Sequence, residues 1–278
     1  SWANAVTPMT VDFKALGDLY NEFEGYGTSN SFSEDTVYGF NTGIDTGKSI
    51  ALNGLTKYID TSAYTIHDAG GTDVLDFSGF RSNQTIDMRS APSNGTTIRA
   101  SNIGERGLIG NLLISEGSVI ENSVGGSGDD YIFGNTSHNS IRGGDGNDTI
   151  RAMIGWDTLI GGDGNDRLEA GRGRDTMLGG AGSDILIGGF GPNQFSGNRD
   201  MAIDQIELHS DQFKINARYG KAGNNMNNKK CDVIQSMDSF DVISINGVED
   251  SRLTFRSATL DSPSFGQLSG IGVFADES

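Results

Sequence analysis

The chain has 278 residues, enough for one large or two small domains, and its 37 acidic against 20 basic residues give a formal net charge of −17. This charge argues against nucleic acid and anionic membranes as partners, and it favours metal cations. The single cysteine, Cys231, excludes an intrachain disulfide. No stretch resembles a transmembrane segment or an N-terminal signal peptide, so we expect no membrane insertion.

The first part of the chain predicts one short helix followed by short strands. Residues 8–20 place Phe13, Leu16 and Tyr20 on one helical face, which predicts a helix within residues 1–24. Residues 25–124 alternate short apolar runs with Gly, Ser, Thr and Asn turns, which predicts a β-rich region. Its strands are expected around Ile66, Val74–Leu75, Ile86, Ile98 and Leu112–Ile114.

Residues 125–196 form eight consecutive nine-residue frames of the pattern Gly-Gly-x-Gly-x-Asp-x-U-x, where U is a large apolar residue. The frames that begin at Gly143, Gly161 and Gly179 match the pattern at every position. A repeat this short is one turn plus one strand of a solenoid, and this pattern is the known signature of the calcium-binding parallel β-roll. The eighth position is apolar in all frames, which predicts a narrow stacked core of Ile132, Ile141, Ile150, Leu159, Leu168, Met177, Leu186 and Phe195.

Each polar position of the frame suits calcium. Glycines at the first, second and fourth positions permit backbone conformations barred to other residues and let carbonyl oxygens approach an ion closely. The aspartate at the sixth position adds carboxylate oxygen, so the turn offers only hard ligands, which favours calcium over zinc or copper. A flexible glycine-rich linker would not keep apolar residues and aspartate in phase with glycine. We therefore predict an all-β fold, a parallel β-roll stabilised by several calcium ions and flanked by β-sandwich-like strands.

Frames whose turns match Gly-Gly-x-Gly alternate with frames whose turns depart from it, so each kind recurs every 18 residues. Two frames make one full turn of a roll, so alternate frames stack on the same side at a strand spacing of about 4.8 Å. One side has intact turns and the other has degraded turns, two of whose positions are Arg172 and Arg174. We expect a strong column of calcium ions on the first side and patchy, weaker or absent sites on the second. The expected ligands are Gly126, Gly128, Asp130, Gly144, Gly146, Asp148, Gly162, Gly164, Asp166, Gly180, Gly182 and Asp184 on the first side, and Asp157 and Asp175 on the second, where Asn139 and Asn193 hold the other sixth positions.

Stacked carboxylates make folding depend on the ion. At about 4.8 Å, neighbouring carboxylates repel by roughly 1 to 3 kcal/mol per pair, and bound calcium reverses the sign. The roll is therefore expected to unfold at cytosolic calcium and to fold outside the cell.

The end of the chain, residues 197–278, is expected to cap the roll. Strands are predicted at Asp204–Leu208 and within residues 232–245, because the open end of a solenoid needs protection. Residues 221–230 between them are polar and Asn-rich, which predicts a loop.

The segments flanking the repeat resemble one particular family. Residues 35–41 read Asp-Thr-Val-Tyr-Gly-Phe-Asn, residues 67–79 read His-Asp-Ala-Gly-Gly-Thr-Asp-Val-Leu-Asp-Phe-Ser-Gly, and residues 110–130 run into the first frame. These segments are similar to the C-terminal half of serralysin-type secreted metalloproteases of peptidase family M10, in the same order from about Pro8 to about Phe195. The resemblance implies two further calcium sites, one with Asp68, Gly70 and Asp73 and one with Gly71, Asp73 and Glu121. The alternative is that Asp68 and Asp73 only cap a glycine turn.

Catalytic residues of that family are missing from this chain. Its zinc site needs His-Glu-x-x-His-x-x-Gly-x-x-His, whereas the chain has three isolated histidines, His67, His138 and His209. We expect His67 to pack beside a calcium turn and the other two to lie at the surface. The chain as given is therefore expected to have no zinc protease activity, although a parent or partner protein would be a zinc metalloendopeptidase.

Two functions fit these observations. The first is the noncatalytic C-terminal part of a serralysin-like protease, secreted by a bacterium through a type I route and partnered by calcium and a catalytic domain. The second is a stand-alone extracellular structural or adhesive protein that binds another surface protein. The end of the chain, residues 272–278, places polar residues last, where the family's export signal ends in apolar residues.

Overall fold

The computed structural model describes residues 4–5, 32–44, 50–92, 99–198, 200, 202–209, 233–235, 242–246, 253–262 and 266–275. The helix predicted within residues 8–20, the strand predicted at Ile98 and the loop predicted at residues 221–230 lie outside these ranges. The two described helices are α1 (Ile50–Asn53) and α2 (Leu55–Tyr58). Within these ranges no helix has the length and apolarity needed to span a membrane.

Short strands make up most of the described chain. In chain order they are β1 (Asn4–Ala5), β2 (Val37–Gly39), β3 (Ser62–Ile66), β4 (Val74–Asp76), β5 (Thr85–Asp87), β6 (Ala100–Ser101), β7 (Leu112–Ile114), β8 (Asn122–Val124), β9 (Tyr131–Phe133), β10 (Ser140–Asp145), β11 (Thr149–Arg151), β12 (Ile154–Gly155), β13 (Thr158–Asp163), β14 (Arg167–Glu169), β15 (Arg172–Gly173), β16 (Thr176–Ala181), β17 (Ile185–Ile187), β18 (Gln194–Ser196), β19 (Gln205–His209), β20 (Val233–Gln235), β21 (Val242–Asn246), β22 (Leu253–Ser262) and β23 (Gly266–Ala275).

Two parallel sheets face each other and form the roll. One has eight strands in the order β2-β4-β8-β10-β13-β16-β18-β20, and the other has seven in the order β21-β19-β17-β14-β11-β9-β5. Within the repeat, pairing advances by 18 residues, since Ile132 is opposite Ile150 and Ile150 is opposite Leu168. Two frames therefore complete one turn, and the predicted parallel β-roll is confirmed.

The core is the column of eighth-position residues. All eight are buried, with at most 1% of each side chain exposed. In a three-residue strand only the central side chain points inward, so one large apolar residue per frame fills the space between the sheets. Burying each such side chain contributes about 1.5 to 3 kcal/mol. The predicted stacked core is confirmed.

The two sheets continue beyond the repeat in both directions. Upstream, β2, β4 and β5 extend them, and downstream β18 pairs with β20 while β17 pairs with β19. The strands predicted around Ile66, Val74–Leu75, Ile86 and Leu112–Ile114 are present as β3, β4, β5 and β7. The strand predicted at Asp204–Leu208 is present as β19, and β20 and β21 lie within residues 232–245 or end one residue beyond.

The structure adds two helices, a hairpin and a separate four-stranded sheet to the elements that the sequence predicted. Helices α1 and α2 lie in the region predicted to be β-rich. Helices form there because Leu52, Leu55 and Ile59 repeat at helical spacing and are all buried. Gly54 separates the two helices. Strands β22 and β23 form an antiparallel hairpin of their own. A further four-stranded sheet has the order β1-β3-β7-β6.

Candidate metal centres

The roll has two turn edges with different sequences. The first turn edge comprises residues 125–130, 143–148, 161–166 and 179–184, each leading from the eight-stranded to the seven-stranded sheet. The second turn edge comprises residues 134–139, 152–157, 170–175 and 188–193, each leading back. The sixth residue of every frame closes its turn, so the first edge stacks the predicted ligands Asp130, Asp148, Asp166 and Asp184 above one another.

A hydrogen-bonded ladder connects these aspartates. Asp148 Oδ1 accepts from the Asp130 N–H at 2.7 Å, Asp166 Oδ1 from the Asp148 N–H at 2.8 Å, and Asp184 Oδ1 from the Asp166 N–H at 2.9 Å. Each carboxylate thus ties its own turn to the turn before it. The ladder runs further than the repeat, since Asp130 accepts from the Gln84 N–H and Asp204 from the Asp184 N–H.

The second carboxylate oxygen of several rungs is buried without a donor. Among the described residues, Oδ2 of Asp148, Asp166 and Asp184 has no hydrogen-bond partner, whereas Oδ2 of Asp130 accepts from the Gly126 N–H at 2.7 Å. The four side chains are almost completely buried. A buried carboxylate oxygen with no donor is costly unless a cation reaches it. Hard oxygen atoms in a glycine-rich turn match the ligand chemistry of calcium, so these residues fit the predicted ion.

Burial changes the protonation of the same aspartates. It raises the pKa of Asp130 and Asp166 to about 6, of Asp184 to about 7 and of Asp148 to about 8. For Asp148 and Asp184, negative charges on neighbouring aspartates raise the pKa further. Burial thus disfavours the ionised form of all four carboxyl groups, most strongly that of Asp148, and a bound cation would offset this cost.

Glycine is required here by close stacking as well as by conformation. At the first position, a Cβ on Gly161 would lie 2.1 Å from Asp166 Oδ2. At the second position, Gly162 has a φ of +136°, and its Cβ would lie 1.8 Å from the Gly144 carbonyl oxygen. The glycines therefore admit the carboxylate and let one turn lie directly against the next.

The second turn edge has the same ladder but different turns. Asp157 Oδ1 accepts from the Asn139 N–H at 2.8 Å, and Asp175 Oδ1 from the Asp157 N–H at 2.9 Å. Oδ2 of both aspartates is buried without a donor among the described residues, and burial raises their pKa values to about 7 and about 6. The turn backbone differs, because Met153 takes a glycine position with a φ of +85°.

The predicted upstream ligands lie together at the start of the roll. Asp68 Oδ2 accepts from the Tyr38 hydroxyl at 2.6 Å, and Asp68 Oδ1 accepts from the Gly70 N–H at 2.8 Å. Glu121 Oε2 accepts from the Asp73 N–H at 2.9 Å. Burial, followed by the charges of Asp68 and Glu121, raises the pKa of Asp73 to about 7. Through its Oδ1, Asp68 therefore caps the glycine turn, which is compatible with either of the two roles expected for it.

Gly71, another predicted upstream ligand, lies in close contact with a neighbouring backbone segment. Its φ is +130°, and a Cβ there would lie 2.7 Å from the Glu34 backbone. Among the described residues, no three His, Cys, Asp or Glu side chains form a group that would hold a metal by side chains alone, and so no zinc site is seen there. The calcium sites expected from the sequence differ in kind, since their expected ligands include glycine backbone carbonyls beside the carboxylates.

His67 and His138 contact different side chains, and the side chain of His209 lies outside the described residues. His67 Nδ1 lies 2.6 Å from Ser115 Oγ and is half-buried, which agrees with a packing role. His138 is exposed, as expected, and its ring stacks on Trp156.

Sequence analysis missed three residues that extend these sites: Tyr38, Gln84 and Asp204. Only Asp204 had a usable signal, because Asp204-Gln-Ile206 repeats the Asp-x-U end of a frame after a two-residue insertion. The contacts of Tyr38 and Gln84 join segments more than 20 residues apart, which no local pattern reveals.

Comparison with known proteins gives one family over most of the chain. The family model described as Peptidase M10 serralysin C terminal matches residues 28–258. Relatives include Metallopeptidase AprA of Pseudomonas marginalis, 39% identical over 140 residues covering 50% of this chain and 26% of the relative. Serralysin of Photorhabdus laumondii is 41% identical over 139 residues, covering 47% of this chain and 26% of the relative. Serralysin of Proteus mirabilis is 37% identical over 141 residues, covering 50% of this chain and 25% of the relative. These alignments span about a quarter of the length of the curated relatives.

Proposed function

The chain belongs to the serralysin C-terminal family of the M10 peptidases, and from this premise we propose that it is a calcium-binding β-roll, the noncatalytic C-terminal part of a serralysin-like metalloprotease. The observation that carries the proposal is the ladder of buried aspartates, whose Oδ1 atoms join successive turns while several Oδ2 atoms have no donor among the described residues. In this proposal the roll folds on calcium after export.

The proposed ligands of the first turn edge are glycine carbonyls and the sixth-position aspartates. They are Gly126, Gly128, Asp130, Gly144, Gly146, Asp148, Gly162, Gly164, Asp166, Gly180, Gly182 and Asp184. Bound calcium would supply positive charge to the buried carboxylates. On the second edge we propose weaker or absent sites at Asp157 and Asp175, because Met153 replaces a glycine and Arg172 and Arg174 bring cations into the turn.

Upstream, Asp68, Gly70 and Asp73 are proposed to hold one ion, and Gly71, Asp73 and Glu121 a second. Two observations support this. The Asp73 N–H donates a hydrogen bond to Glu121, and burial, followed by the charges of Asp68 and Glu121, raises the pKa of Asp73. Asp73 would be shared between the two ions.

We also propose a role for each segment of the chain. Residues 1–24 would be a helical segment at the end of a protease domain, residues 25–124 the β-rich region with the upstream sites, residues 125–196 the repeat, and residues 197–278 the cap and export region. A zinc endopeptidase domain would be the partner, and the protein would be secreted by a bacterium through a type I route. The printed names of the relatives, which are metallopeptidases, support the catalytic partner.

Calcium titration tests the proposal directly. Circular dichroism and isothermal titration calorimetry of the chain are expected to show several calcium ions bound together with a gain of β structure, and loss of both on chelation. Asp166→Asn removes a buried ladder carboxylate, while Asp145→Asn removes an exposed carboxylate from a neighbouring turn and is the matched control. We expect at least a tenfold loss of calcium affinity for Asp166→Asn only. Equal effects of the two variants, or a fold indifferent to chelator, would reject the proposal.

The difference between the edges has its own test. Anomalous scattering from calcium-grown crystals is expected to show strong peaks along the first turn edge and weak or no peaks along the second. Equal occupancy on both edges would show that the carboxylates alone, and not the glycine turns, determine binding.

A further inference from the structure

The second turn edge exposes a cluster of large apolar side chains. The exposed fractions are 38% for Met153, 49% for Ile154, 65% for Trp156 and 42% for Phe190. Met153, Ile154 and Trp156 share one turn, and Phe190 lies two turns along with Arg172 between them, since Ile154 pairs with Arg172 and Arg172 forms a bridge with Phe190. Contiguous exposed apolar surface on a protein marks a contact site more often than a chance arrangement.

These side chains are held in place. The Trp156 and His138 rings stack with centroids 5.3 Å apart and planes 19° apart, and the backbone N–H of Trp156 donates to His138 Nδ1 at 2.7 Å, which orients the imidazole beneath the indole. The Arg172 guanidinium lies 5.4 Å from the centroid of the Phe190 ring. Ring contacts with cations and with other rings fix the orientation of exposed aromatic groups.

The charge of this edge is opposite to that of the chain. The exposed charged residues of its described turns are Arg172 and Arg174, while Asp157 and Asp175 are buried beneath them. The first turn edge, by contrast, exposes carboxylates at Asp129, Asp145 and Asp163. A net charge of −17 therefore does not describe the surface that the second edge would offer to a partner.

The backbone at this edge is strained. Met153 adopts a φ of +85° at a position where the frame has glycine, the residue best suited to that conformation. Such strain is retained at sites where the side chain has a use. The side chain it adds belongs to the exposed apolar cluster.

We propose that the second turn edge docks on an anionic lipid surface. The second turn edge connects the two sheets and exposes its large apolar side chains to solvent, so these would reach the boundary between headgroups and acyl chains while Arg172 and Arg174 contact phosphates. A folded protein partner would need a matching groove to bury the same tips. The carboxylates of the first edge lie on the far side of the roll, and charges separated by more than about 8 Å are largely screened at physiological ionic strength.

Trp156 is a local reporter of this contact. The chain has two tryptophans, so Trp2→Phe leaves Trp156 as the only one. With calcium held constant, vesicles of phosphatidylglycerol and phosphatidylcholine are expected to shift its emission to the blue and to sediment the protein. Vesicles of phosphatidylcholine alone are expected to do so much less. The double variant Arg172→Ser with Arg174→Ser is expected to weaken partitioning about 30-fold. Each cation near an anionic surface contributes about 1 kcal/mol of binding free energy, and the loss of two corresponds to that factor.

Matched variants separate this docking from other contacts. Ile154→Ser is expected to weaken partitioning into vesicles. The control is Ile203→Ser, which changes an exposed isoleucine outside the second turn edge and is expected to leave partitioning unchanged. Calcium bridging through the acidic first edge would leave the arginine variant unaffected and would overturn the proposal. Emission shifts caused by the soluble polyanions polygalacturonate or polyglutamate, but not by vesicles, would also overturn it in favour of an anionic polymer. A concentration-dependent increase in mass without vesicle binding would overturn it in favour of self-association. Circular dichroism of each variant in calcium checks that the roll is folded, so failure of docking is distinct from failure of the proposed calcium fold.

Discussion

Replacing Asp148 by asparagine should stabilise the calcium-free roll and weaken the calcium-loaded one. Asp148 lies in the middle of the first-edge ladder, and its Oδ2 is buried without a donor among the described residues. Burial and the charges of Asp130 and Asp166 raise its pKa from 3.8 to about 8. Asparagine fits such a position, since Asn193 accepts the corresponding hydrogen bond from the Asp175 N–H on the second edge.

The sign of the effect follows from the raised pKa. A carboxyl group with a higher pKa in the folded state stabilises the fold fully below pH 4, and this contribution is lost as the pH rises through about 8. At pH 7, keeping Asp148 protonated in the fold while an unfolded aspartate is ionised costs about 4 kcal/mol, at 1.36 kcal/mol for each pH unit. Asp148→Asn removes that cost, and relaxation around the amide will reduce the gain.

The effect is measured at pH 4 and pH 7 in two solvents. In saturating calcium it is measured by urea unfolding, and in chelator, where the wild-type roll is expected to be largely unfolded, by folding induced with a stabilising osmolyte. In chelator we expect Asp148→Asn to gain about 1 to 4 kcal/mol at pH 7 and almost nothing at pH 4. In calcium we expect a loss of about 2 to 3 kcal/mol, since a site filled to a hundred times its dissociation constant adds about 2.7 kcal/mol. The same change at both pH values, or no reversal of sign in calcium, would refute the argument that an uncompensated buried charge controls this fold.

Three further substitutions test the packing of the roll. Gly161→Ala should destabilise the calcium-loaded protein by more than about 3 kcal/mol in urea unfolding, because its Cβ would lie 2.1 Å from Asp166 Oδ2; a loss below 1 kcal/mol would contradict this geometry. Met153→Gly should raise the melting temperature by releasing about 1 kcal/mol of backbone strain at φ +85°, and an unchanged or lower value would show that the side chain contributes more than the strain costs. Tyr38→Phe should cost about 1 to 3 kcal/mol by removing the hydroxyl that donates to buried Asp68, and calorimetry should show weaker calcium binding upstream; wild-type stability would rule out that hydrogen bond.

The nine-residue period was sufficient to predict the roll because it fixes both chemistry and register. An apolar residue every nine positions predicts one inward side chain per strand, and Ile150 and Leu168 are indeed buried partners in adjacent strands. An aspartate every 18 positions likewise predicts the stacked sixth positions seen at Asp148 and Asp166. A periodic sequence specifies its long-range contacts locally, so they are readable without a structure.

Features without a period were not predictable in this way. Tyr38 contacts Asp68 and Gln84 contacts Asp130 across gaps of 30 and 46 residues, and neither contact leaves a repeated pattern. Asp204 continues the ladder 20 residues after Asp184, so the two-residue insertion hides it from a nine-residue frame.

The two turn edges share their carboxylates but differ in their backbones, and this difference explains how one solenoid can serve two purposes. Asp157 on the second edge is buried and hydrogen-bonded like Asp148 on the first, so the ladder itself is a device for stacking turns. The proposed calcium sites would additionally use the carbonyls of an intact Gly-Gly-x-Gly turn, and on the second edge Met153 stands at a glycine position of that turn. A turn released from binding an ion can present large side chains such as Trp156 to a partner. Under both proposals, ion binding on one edge stabilises the scaffold on which the other edge makes its contact.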